Sequence, residues 1–166
     1  RPIVVAASRN CKDLEVLRDI DAQVEAQTLA AELRVGSVRS GRALLQVHAN
    51  LNTENAGEFR EMIQKGRAIG HNMVVQGLVW GNVGLSEHLI EAMSAHTFCV
   101  GLLGASLRLG VIGHTNAQAV FGRLHEMISG TLKETSIPLE GVSAFSPEQE
   151  IAVMRHENST HRLFFN

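Results

Sequence analysis

The chain has 166 residues, a formal net charge of −2, 45% hydrophobic residues and 19% charged residues. That length can bury roughly 70% of its unfolded surface in one domain, and the composition excludes a disordered chain. The near-neutral balance gives no basic field for nucleic acid or anionic lipid, so neither is expected as a partner.

Prolines stand only at 2, 138 and 147, leaving the stretch from Ile3 to Ile137 free of them. A proline inside a helix costs ~3 kcal/mol, so long helices are favoured there. Leu14, Leu17, Asp21, Val24, Thr28 and Ala31 step by three and four, the period of an amphipathic helix, with Asp21 the one charged residue in the series. Val38, Leu44, Leu45 and Val47 form a second stripe. Residues 50–55 read as a loop, with Thr53 or Asn55 capping a helix through Phe59, Met62 and Ile63. From Val74 to Trp80 the chain is apolar nearly all round, the mark of a helix buried on most sides. Ser86 and Glu87 open another helix carrying Leu89, Ile90 and Met93. The longest apolar run, Phe98 to Leu107, follows and stops at Arg108, half of the ~20 residues a membrane span needs. Residues 113–132 read as helix and 137–145 as a connecting loop. Ser146, Pro147 and Gln149 then form a capping-box arrangement for a last helix. Strand signals are weak, since tyrosine is absent and period-two alternation is short. The expectation is a single all-α domain over residues 1–166 with six to eight helices.

Fifteen glycines are many for such a fold. Gly77, Gly81 and Gly84 lie at helical spacing, as do Gly101 and Gly104. Each costs ~1 kcal/mol against alanine in a helix, so either close helix approach or helix termination must explain them.

Catalytic patterns are missing. His156 and His161 flank a segment one residue longer than the zinc-protease spacing, and five apart they diverge by about 140° around a helix. Eight histidines include no pair at i, i+4, although His88 and His96, eight apart, can share a face. Cys11 and Cys99 are too few for a disulfide framework and fit a reducing compartment. No phosphate loop, nucleophile elbow or dinucleotide fingerprint occurs. On residues alone the chain reads as a helical binding or scaffold protein with no catalytic residues, metal ligands or cofactor.

Four separated stretches resemble the urease accessory protein F family. They are Glu32-Leu33-Arg34 with Ser37 and Gly41; Gly70-His71 with Val74, Val75, Gly77 and Gly84; and Arg108-Leu109-Gly110 with Ile112, Gly113, Thr115 and Gln118. The fourth and most specific is Arg155-His156-Glu157 with Arg162-Leu163-Phe164. Met73 and His114 depart from the family pattern, both in turns. The chain opens at Arg1 rather than methionine, and the family's glycine-rich N-terminal segment is expected to lie upstream.

The resemblance implies an all-helical, non-catalytic cytoplasmic homodimer. Such a factor joins an accessory GTPase (G) and an accessory scaffold protein (D or H) in delivering nickel to apo-urease. It also implies a partner surface made of Arg108, His156, Glu157, Arg162, Leu163 and Phe164, with residues 162–166 as a docking tail. A different class remains open, a carrier that binds nickel through histidines such as His71 or His114.

Overall fold

Helices take up the proline-free stretch, as its composition leads one to expect. The computed structural model describes residues 1–134, 139–141 and 147–157, and among them no strand occurs. In chain order these are α1 (Pro2–Arg9), α2 (Leu14–Gln27), α3 (Ala31–Asn50), α4 (Ala56–Gln64), α5 (Asn72–Asn82), α6 (Glu87–Arg108), α7 (His114–Leu132) and α8 (Pro147–Glu157). A 3-10 turn, Leu139–Gly141, stands between α7 and α8. The all-α expectation holds.

Helix α5 is the axle. Every residue from Val74 to Trp80 is buried, and α1, α3 and α6 pack around it. Its glycines explain the closeness of α1. A Cβ on Gly77 would lie 2.4 Å from Ala7 Cβ, and one on Gly81 would lie 2.9 Å from the Ser8 carbonyl oxygen. The other glycines singled out behave differently: Gly84 turns the chain at φ +81°, while Gly101 and Gly104 meet no neighbouring helix. Close approach therefore accounts for two of the five.

Helix α1 was not foreseen, because eight residues without a charged face give too short a periodic signal. Its Val4, Val5 and Ala7 join Leu17, Ile20, Leu45, Phe59 and Leu78 in one continuous core. The loop over 50–55 lies where expected, but its cap works differently. Asn55 takes the left-handed conformation at φ 63° and makes no side-chain cap bond to α4. Its amide instead donates to the Cys11 carbonyl at 3.1 Å, tying α4 to the turn after α1. Asp13 caps α2 by accepting from the Glu15 and Val16 amides, and Ser86 accepts from the Leu89 amide to open α6. Pro147 opens α8 as expected, while Ser146 lies outside the described residues.

The apolar run after Met93 does not form a separate element; it continues α6 to 22 residues. Counting only Phe98 to Leu107 underestimates it: by length and mean hydropathy, 1.3, α6 reaches what a membrane crossing needs. In this fold it packs instead on α7, α1 and α5. Its Glu87 and Glu91 pair with Arg9 and Arg1 at 2.8 and 3.0 Å. Only Ile90 and Glu91 of α6, and Ala117 of α7, are buried. The hairpin of α6 and α7 therefore stands out with its apolar side chains in solvent. Phe98 is 64% exposed, and Leu102 of α6, Val111 in the turn between the helices and Met127 of α7 are exposed as well.

Candidate functional site

Three regions hold the residues to which function can attach. The first is a polar node where α2, α3 and the start of α5 meet. Asp21 is fully buried, yet its carboxylate accepts from three consecutive amides, those of Ile69, Gly70 and His71, at 2.7 to 2.9 Å. A buried carboxylate is tolerated on such terms, because charge-assisted hydrogen bonds replace water. Gly70 sits at φ +96°, and Gly41 of α3 lets the Gly70 carbonyl approach to 2.2 Å of where a Cβ would be. The family-like pair Gly70-His71 is thus set by backbone need.

His71 is fully buried, and both ring nitrogens are engaged. Nε2 lies 2.8 Å from Glu25 Oε2, and Nδ1 lies 3.2 Å from Ser37 Oγ. A carboxylate only accepts, so Nε2 carries the proton. Arg34 reaches Glu25 at 3.3 Å and donates to the Thr28 and Leu29 carbonyls. Hydroxyl, imidazole and carboxylate thus stand in the order of a nucleophile, a base and its orienter. The surroundings do not complete that machine. Ser37 Oγ also accepts the Asn72 amide, and the amides that could steady an oxyanion are already held by Asp21. The node acts as a latch that fixes α2, α3 and α5 together.

The second region carries two of the family-derived positions. His156 on α8 places Nδ1 2.8 Å from Glu32 Oε2 on α3, so the Glu32-Leu33-Arg34 stretch and the Arg155-His156-Glu157 stretch meet. Their proximity is not readable from spacing, since 124 residues separate them. Glu157 ends α8. Arg162, Leu163 and Phe164 lie outside the described residues, as does the docking tail 162–166.

The third region is the α6–α7 hairpin. Arg108 is exposed and ends α6, where a cation complements the C-terminal carbonyls. It belongs to a hairpin that packs on α1 and α5, whereas α8 packs on α3. The described family-derived positions are thus spread over two elements with different neighbours. The expected shared face of His88 and His96 is present: both line a groove of about 650 Å³ together with His125. No signal in the sequence pointed to His125. No group of three His, Cys, Asp or Glu side chains suited to a metal ion occurs among the described residues. Of the two histidines named for a nickel carrier, His71 is buried with both nitrogens in use, and His114 is the exposed first residue of α7.

Comparison with known proteins now bears on this arrangement. A sequence profile of the UreF family matches residues 1–125. The urease accessory protein UreF of Trichodesmium erythraeum is 31% identical over 98% of this chain and 72% of its own length. That of Kocuria rhizophila is 29% identical over 93% and 69%, and that of a Bacillus species, strain TB-90, 28% over 90% and 67%. The chain belongs to the UreF family, a family of urease accessory proteins with a role in urease maturation.

Proposed function

We propose that this member of the UreF family is a non-catalytic maturation factor of the cytoplasm. It bridges the accessory GTPase G and the accessory scaffold protein D or H while nickel is delivered into apo-urease. It works as a homodimer and makes or breaks no covalent bond. The observation that carries the reading is the similarity to a urease accessory protein across 98% of the chain. The node around Asp21 and His71 ties α2, α3 and α5 together, which supports a structural role for it.

Pairing is supported by the uncovered side of α6. The exposed side chains of Phe98, Leu102 and Met73 line a groove floored by Leu44 and Trp80, and fully burying an exposed side chain of this kind is worth about 1.5–3 kcal/mol. A second copy seated there removes this surface from water. The partner surface is assigned to Arg108, His156 and Glu157, with Arg162, Leu163 and Phe164 as the tail that docks on the scaffold. Arginine and aromatic side chains are the usual anchors of such contacts.

Size-exclusion chromatography with light scattering tests both parts. The chain alone should run at twice its 18.0 kDa mass, and Phe98→Glu should return it to the single mass. Mixing with the purified scaffold should give a joint peak that is lost on truncation after His161 or with Arg162→Ala. A joint peak unchanged by both tail variants would sink the tail assignment, and a wild-type chain at the single mass would sink the dimer.

A further inference from the structure

The groove between α6 and α7 has a charge pattern that the maturation role does not use. Its titratable lining groups are His88, His96, His125 and Lys133, all of them bases. Between the ends lie Ala92, Met93 and Ile128, an apolar floor. The spacing is matched on the two helices. His88 and His96 are eight residues apart on α6, and His125 and Lys133 are eight apart along α7 and its C-cap, about 12 Å at 1.5 Å per residue. The rings of His96 and His125 lie 6.0 Å apart and nearly parallel, with Phe121 against both. Because the two helices form a hairpin, that contact puts His88 opposite Lys133. The groove therefore has a basic pair at each end.

The two carboxylates of α6 are held on the side of α1. Glu87 and Glu91 of α6 pair with Arg9 and Arg1 on the α1 side. Arg1, paired with Glu91, also donates to the Thr131 and Glu134 carbonyls. On α7, Arg123 and Glu126 flank His125 in sequence but do not line the groove, and α5 contributes no titratable residue.

We infer that this groove docks an acidic amphipathic helix of a partner protein, with two carboxylates about two turns apart and apolar side chains between them. The end carboxylates meet the basic pairs, and the apolar stripe covers Ala92, Met93 and Ile128. Helix-in-groove recognition has this form, with anchors repeating along one face. The inference goes beyond the maturation reading and requires neither pairing of the chain nor its tail.

The test is fluorescence anisotropy with a labelled synthetic helix carrying two glutamates eight residues apart, leucine and alanine between them. Its twin carries lysines instead. The glutamate probe should bind, and raising the salt concentration should weaken its binding. Lys133→Glu should weaken binding about tenfold. The double change His96→Gln with His125→Gln should also weaken binding, and the lysine probe should not bind. These side chains are exposed, and far-UV circular dichroism checks that each variant remains folded. Equal binding of the two probes, or undiminished affinity in both variants, overturns the inference. So does loss of binding in Phe98→Ser, on the other side of α6, with the groove variants unaffected.

Discussion

At Gly77 an added Cβ would stand 2.4 Å from Ala7 Cβ and 2.7 Å from the Val4 carbonyl oxygen, both on α1. At Gly122 in α7 it would meet nothing within 4 Å. The same substitution therefore has opposite signs. Gly77→Ala should cost about 1–3 kcal/mol, because the backbone of α1 must shift. Gly122→Ala should stabilise by up to about 1 kcal/mol, through helix propensity alone. Urea unfolding of the two variants measures the difference, and equal midpoints would refute the close-packing account. The spacing of Gly77 and Gly81 was legible in the sequence. Which glycines touch a neighbour was not, because Gly101 and Gly104 carry the same spacing onto a solvent-facing helix. The same holds for polar residues. The apolar period of α2 ran through Asp21, and nothing local showed that this carboxylate holds the amides of residues 69–71.

Between elements, the contact of α1 with α6 rests partly on ions. The Arg9 guanidinium holds the Glu87 carboxyl below its ordinary range, through two hydrogen bonds of 2.8 Å. A carboxyl whose pKa is lowered in the folded state adds stability above its unfolded pKa and loses it as pH falls through the folded value. Both side chains are about half exposed, so the pair contributes less than about 1 kcal/mol at neutral pH. An NMR titration of the Glu87 side-chain carboxyl should show a midpoint below the usual glutamate value, moving up in Arg9→Gln. No movement would place the cause elsewhere. Burial also pushes the Cys11 thiol up, in keeping with its place in the core beneath α5. Helix α6 shows the limit of reading elements singly. Its composition passes for a membrane span, and only its packing on α1, α5 and α7, with both acidic residues paired, shows how it is held.

Across the molecule, stability is uneven. The core gathers around α5, whereas only Ala117 of α7 is buried. Amide hydrogen exchange should follow that division, with α5 opening only in global unfolding and α7 exchanging through smaller openings. If the uncovered side of α6 is a self-association face, protection at Phe98 and Leu102 should rise with protein concentration. Protection in α6 that is independent of concentration would argue against pairing there.

Helical class, the buried character of α5 and the absence of known catalytic motifs were determined by the sequence alone, because each depends on period, composition or spacing within one segment. The resemblance to the UreF family was likewise carried by short local stretches. Tertiary structure alone decided that Asp21 caps the turn before α5 and that Glu32 meets His156 across 124 residues. It also decided that His125 joins His88 and His96 in one groove. Such contacts depend on how helices are laid against one another, and that is set by the summed packing of many side chains. No single segment carries that sum.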